Sequence, residues 1–227
     1  YNISSLMINL IFMKILIING SARGKGFCNT IAKELLKELN SLSDTSKSIE
    51  TSIFTIAEKN IKFCTGCVSC CRDEKKYCFI DDDIHEAYKL MEEADSIVYI
   101  SPIYESFISG ILKNFFDRTN HYTSFFKLAG KPLNLILCGV QPIKGPTKEF
   151  SNGHVIENIN QYFKNYSIIT HTVYVFLGFF HHEDHHSVRN NSNVEEFDAQ
   201  IKSIAKKLSK QKIDKRIIEN SKDSYSV

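Results

Sequence analysis

A chain of 227 residues, 43% hydrophobic and 24% charged, has the make-up of an ordinary globular domain and length enough to bury a sizeable core. The formal net charge is only +2 and no Lys/Arg block is long, which argues against nucleic acid as a partner. No apolar run reaches the length of a membrane span, so the expectation is a cytoplasmic protein with no membrane partner.

In chain order, residues 1–12 carry an apolar run from Leu6 to Phe12 without the basic start or small-residue cleavage site of a signal peptide. They are read as an upstream or non-native extension before a domain spanning 13–210. Lys14 to Asn19 is nearly all apolar and β-branched, as expected of a strand buried on both faces of a parallel sheet. Asn29 to Leu42 predicts a helix with Ile31, Leu35, Leu36 and Leu39 on one stripe. Glu50 to Ile56 is a second strand, followed by a cysteine-rich insert at 64–78. Asp81, Asp82 and Asp83 head a helix running through Leu90 to Ala94, because carboxylates suit a helix N-terminus. Ser96 to Ser101 is a third strand ended by Pro102, and Ile108 to Asn120 is helical. Pro132 to Cys138 is a fourth strand and Glu149 to Tyr166 a helix. Ile168 to Leu177 is a fifth strand, Val194 to Leu208 closes the domain as an amphipathic helix, and 211–227 is a loose polar tail.

This alternation, without repeat or linker, predicts one doubly wound α/β domain: a five-stranded parallel sheet with helices on both faces. Ligands of such sheets bind beyond the carboxyl ends of the strands, at the switch in strand order. The loop Gly20 to Thr30 joins a buried strand to a helix start, so backbone N–H groups and the positive end of the helix dipole converge there. Ser21, Asn29 and Thr30 add polar side chains and Arg23 adds charge, a set suited to a phosphomonoester. The loop lacks the Gly-x-x-x-x-Gly-Lys-Ser/Thr pattern of nucleoside triphosphatases. The segment from Ser101 onward offers a Pro-initiated turn and aromatic residues, a flat ledge for a planar ring, and Gly139 to Gly145 could close over it. Asp117 and Arg118 are expected to form a structural or interface ion pair.

These segments carry a family resemblance. From residue 14 to about 140 the chain resembles the NADPH-dependent FMN reductase superfamily of flavodoxin-like folds. The resemblance lies in Gly20-Ser21-x-Arg23 with Asn29-Thr30, and in Ser101-Pro102-Ile103-Tyr104 with Ser109-Gly110, Leu112-Lys113 and Asp117-Arg118. It implies FMN, with Ser21, Arg23, Asn29 and Thr30 at the phosphate and Pro102, Ile103 and Tyr104 along the flavin. Phe27, Cys28, Ser109, Gly110 and Gly139 complete the implied contacts, and Ala22 departs from the usual Pro.

Five of the seven cysteines fall within residues 64–78, as Cys64, Cys67, Cys70, Cys71 and Cys78, while Cys28 and Cys138 stand alone. That clustering is unlike a secreted disulfide framework and points to a reduced setting with a metal or redox role. Thiolates spaced Cys-x2-Cys-x2-Cys-x7-Cys can wrap a cubane cluster. The segment resembles the iron–sulfur flavoprotein branch of the same superfamily, which implies a 4Fe–4S cluster on Cys64, Cys67, Cys70 and Cys78 with Cys71 spare. Free or redox-active thiols and a zinc site stay open as alternatives.

The run His181 to His186 is read as a solvated loop, His85 and His121 as helix-surface residues, and Phe125 and Phe126 as core or interface. The function expected is an FMN-dependent oxidoreductase or electron-transfer flavoprotein, with no catalytic side chain required. A cluster-free NAD(P)H-dependent FMN or quinone reductase, a non-enzymatic electron carrier and a cysteine-based sensor without flavin are the alternatives. The implied donor is a reduced nicotinamide or ferredoxin, and by the resemblance a homodimer or homotetramer is expected.

Overall fold

The first apolar run pairs as a strand from Ile11 to Asn19 (β1) with a parallel neighbour from Lys47 to Thr55 (β2). The computed structural model describes residues 11–44, 47–105, 107–125, 127–139, 156–159, 161, 171–177 and 194–217. Further strands run from Ser96 to Tyr104 (β3), Phe107 to Ile108 (β4), Leu133 to Gly139 (β5) and His171 to Leu177 (β6). The parallel order is β2-β1-β3-β5-β6, with β4 antiparallel to β3. The chain leaves β1 toward one edge and returns past it to β3, so the switch in strand order lies between β1 and β3.

Helices run from Phe27 to Ser41 (α1), Ile84 to Glu93 (α2), Gly110 to Arg118 (α3), Asn120 to Ser124 (α4) and Val194 to Leu208 (α5). Because strand side chains alternate, the sheet feeds two separate cores. Leu16, Ile18, Ile97, Tyr99, Leu135 and Leu137 pack on α2, α3 and α4. Ile15, Ile17, Val98, Ile100, Ile136 and Cys138 pack on α1 and α5, where Phe27 meets Phe197 at 5.7 Å between ring centroids. Helices on both faces follow directly from that alternation.

Several boundaries move. β1 takes in Ile11 and Phe12, assigned by the sequence to the extension, because β2 begins early enough to pair them with Lys47 and Ser48. β3 continues past Pro102 to Tyr104. Pro102 stands opposite Cys138 at the last rung of the β3–β5 ladder, where a missing N–H costs least. Residue 211 is not detached: the Gln211 carboxamide exchanges hydrogen bonds with Asn134 at 2.9 and 3.0 Å and accepts from Ser96 at 3.0 Å. The 149–166 helix lies outside the described residues except at 156–159, which are helical, and 161. The 140–145 loop, the 181–186 histidine run and Phe126 also lie outside them.

Candidate functional site

The loop after β1 and the loop after β3 are stitched together at the switch point. Gly20 N–H donates to the Ile100 carbonyl at 2.8 Å, extending the sheet by one bond. The Ser109 hydroxyl donates to the Gly20 carbonyl at 2.5 Å and accepts from Leu112 N–H at 3.2 Å, capping α3. The Ser101 hydroxyl accepts from Ser109 N–H at 3.0 Å, which turns the chain back through β4. A Cβ at Gly20 would stand 2.8 Å from the Leu112 Cβ and 3.0 Å from the Ile100 oxygen, so only glycine lets the loops approach this closely.

The first loop shapes itself with its own side chains. The Asn19 carboxamide accepts from Ser21 N–H at 3.1 Å, the Ser21 hydroxyl from Arg23 N–H at 3.2 Å, and Asn29 Nδ2 donates to the Gly24 carbonyl at 2.5 Å. α1 then follows Gly26, with no side-chain cap and no acidic residue in its first turn. Its positive dipole end is left for an outside anion, which fits a phosphomonoester. Arg23 is exposed at the rim and Thr30 is half-buried. At the end of β3, Pro102 is buried, Ile103 half-buried and Tyr104 44% exposed, with Glu105 turned by a φ of 46°. This graded apolar edge fits one face of a planar ring. Arg23→Ala should weaken FMN binding about tenfold or more, since charged hydrogen bonds contribute about 1.5–3 kcal/mol. A flavin titration giving wild-type affinity would remove Arg23 from the phosphate site.

Six of the expected contact residues are placed within the framework of the fold. Phe27 and Cys28 point into the core shared by α1 and α5, leaving only backbone for a ligand. Burial, and then the adjacent Cys28, pushes the Cys138 thiol up. The Asn29 carboxamide and Ser109 hydroxyl are engaged in shaping the loops. Gly139 is the buried end of β5, paired with Leu177, while Gly110 is exposed at the start of α3.

The cysteine segment lies along α3 and α4. Cys64 and Cys67 are exposed, Cys70 and Cys71 half-buried, and Cys78 buried. Val68 adopts a left-handed φ of 52° that starts a short 3-10 turn, Ser69 to Cys71, bringing Cys70 and Cys71 sulfurs to 3.8 Å. Asn120 Nδ2 lies 3.1 Å from Cys71 Sγ and His121 Nδ1 3.0 Å from the Cys70 carbonyl. N–H and hydroxyl groups of Ser69 lower the Cys67 thiol, whereas burial and the neighbouring Cys71 push Cys70 up to about 12. Five thiols on one loop are a donor set that a cubane cluster takes. In this conformation they are not gathered: among the described residues no three His, Cys, Asp or Glu side chains form a metal-holding group.

Two expectations are corrected. Arg118 does not pair with Asp117; it pairs with Asp82 at 2.7 and 3.0 Å, both side chains fully buried, while Asp117 meets Lys113 at 2.6 Å on the surface. Neighbours on a helix point about 100° apart, so Arg118 faces inward as Asp117 faces out. His121 is not on the surface but wholly buried, among Tyr77, Tyr122 and Phe125. Burial lowers its pKa, with the Cys70 carbonyl opposing. His85 is exposed as expected. Sequence reasoning missed Asn114, whose Oδ1 accepts from Cys64 N–H at 3.2 Å; its i,i+4 spacing to Arg118 was the available signal.

The sequence profile described as NADPH-dependent FMN reductase matches residues 13–145. An iron-sulfur flavoprotein of Methanocaldococcus jannaschii is 32% identical over 157 residues, 69% of this chain and 75% of that protein. One of Archaeoglobus fulgidus is 34% identical over 119 residues, 52% of this chain and 51% of its own length. The chain thus matches about half the length of several curated relatives. An FMN-dependent NADH-azoreductase from Bacillus anthracis, solved with FMN, superposes with a TM-score of 0.60 at 13% identity, covering 87% of this chain and 99% of that one. At that identity the likeness shows the flavodoxin-like fold. On the sequence match, the chain belongs to the NADPH-dependent FMN reductase family and is an FMN-dependent oxidoreductase.

Proposed function

We propose that the crevice between the loops after β1 and β3 holds FMN and that the cysteine loop beside it holds a 4Fe–4S cluster on Cys64, Cys67, Cys70 and Cys78. The carrying observation is the stitched pair of loops at the switch point, with an uncapped helix start on one side and the cysteine loop on α3 on the other. The names of the relatives, iron-sulfur flavoproteins, support the cluster. FMN would take two electrons from a donor and release them singly, the cluster serving as the one-electron relay.

The chain's own residues bind and orient. Arg23, Ser21, Thr30 and the amides at the start of α1 meet the phosphate, and Pro102, Ile103 and Tyr104 present the apolar edge to the ring. The family description points to a reduced nicotinamide nucleotide as donor. Ferredoxin as the alternative donor, a homodimer or homotetramer and a cytoplasmic setting complete the proposal. Among the described residues no helix is long and apolar enough to cross a membrane.

Cys67→Ala, made anaerobically, should lose most bound iron and acid-labile sulfide while keeping its flavin spectrum. The separated thiols favour a second reading, a reductase without a cluster. Wild-type protein that carries flavin but takes up neither iron nor sulfide on reconstitution would establish that reading instead.

A further inference from the structure

The cysteine loop has a closed base made entirely of protein groups. Arg118 Nη1 donates to the Lys62 carbonyl at 2.6 Å and to Asp82 Oδ2 at 2.7 Å. Its Nη2 donates to Asp82 Oδ1 at 3.0 Å and reaches the Ile80 carbonyl at 3.5 Å. Lys62 stands two residues before Cys64 and Ile80 two after Cys78, so one guanidinium spans both stems of the loop. Asp82 Oδ2 also accepts Lys62 N–H at 2.9 Å, and Asp83 Oδ2 accepts Asn60 N–H at 2.7 Å. One turn earlier on α3, Asn114 accepts from Cys64 N–H at 3.2 Å and donates to the Lys62 carbonyl at 3.4 Å. Arg118 Nε is buried without a hydrogen-bond partner. An orphaned buried donor of this kind is what a thiolate sulfur would satisfy.

We propose that Arg118, with Asn114 one turn before it, is the positioning residue that closes the base of the cysteine loop and holds Cys64 and Cys78 against α3 before any cluster is bound. The proposal rests on the reading of these cysteines as cluster ligands. The physical gain is in loop-closure entropy: the ends are already together, so only the thiols between them have to turn. It also ties the two sites to one rigid element, because α3 is capped by Ser109, which holds the Gly20 loop, and ends at Arg118. Lysine would keep the charge but not the planar fork that reaches two carbonyls and both carboxylate oxygens.

The test uses the full chain with FMN bound, anaerobic and free of iron, with iodoacetamide alkylation of each cysteine followed by mass spectrometry. In the wild type Cys78 should react at least about tenfold more slowly than Cys64, and in Arg118→Lys the two rates should come within about twofold as the base opens. Iron and sulfide uptake should fall in that variant at unchanged FMN content. Where Arg118→Lys does not retain FMN, Asp82→Asn carries the same expectation, since it removes the partner charge at nearly unchanged shape. A flavin-loaded variant in which Cys78 stays as protected as in the wild type overturns the proposal, as does lost protection with undiminished cluster uptake. Lost protection in a chain whose wild type never takes up iron or sulfide upholds the clamp and removes the cluster reading instead.

Discussion

Asp82→Ala is expected to lower the unfolding free energy by about 3–5 kcal/mol, the usual effect of removing one partner from a buried ion pair. Both side chains of the Asp82–Arg118 pair are fully shielded from solvent. The deletion strands the guanidinium and also leaves the N–H groups of Lys62 and Ile84 without their acceptors. Burial alone would raise the Asp82 pKa, but hydrogen bonds from Arg118, Lys62 and Ile84 together hold it below the ordinary carboxylate range. The sign follows: this stabilisation is present above the unfolded value, about pH 4, and is lost as pH falls through the lower folded value. Urea unfolding at neutral pH and again below pH 4 should show the gap between wild type and Asp82→Ala narrowing in acid. A gap under about 1 kcal/mol at neutral pH would mean that the pair is solvated in the working protein.

Gly20→Val should separate the two loops proposed to hold the flavin. Its Cβ would meet the Ile100 oxygen, which is backbone in the central strand and already accepts the Gly20 N–H. Leu112 on α3 blocks the other side. Overpacking of this kind costs about 1–3 kcal/mol of stability. The larger effect is expected on the cofactor: once the Gly20 carbonyl moves off the Ser109 hydroxyl, the loops proposed for the phosphate and for the ring no longer share a frame. FMN affinity should drop by at least about tenfold, equivalent to 1.4 kcal/mol. Fluorescence titration of a folded Gly20→Val protein with undiminished affinity would show that loop contact is not needed for binding.

The sheet was legible because buried parallel strands leave an unmistakable trace, continuous β-branched runs such as Ile15 to Ile18 bounded by polar turns. The closing helix was read to its ends, Val194 and Leu208, because its apolar stripe repeats at helical spacing. The loop between β1 and α1 was legible as a turn into a helix start because its glycines and the apolar stripe that follows announce it locally. What the sequence hid were contacts between distant positions. Asp82 and Arg118 lie 36 residues apart, and Asp82 was read as a local helix cap. It does bond Ile84 N–H at 3.1 Å, yet its carboxylate is aimed mainly at α3. His121 read as a surface residue because the helix was carried without a break through Asn120. Instead Thr119 turns its hydroxyl back onto the Phe115 and Phe116 carbonyls, ending α3, and the ring goes inward on α4.

The most direct test is to strip the purified chain of flavin, add FMN under anaerobic conditions, remove the excess by gel filtration and record the visible spectrum of the protein peak. The expected result is a yellow protein with about one FMN per chain. A colourless peak from a folded chain would contradict it, because the uncapped start of α1 and the Pro102 to Tyr104 edge would then have some other ligand.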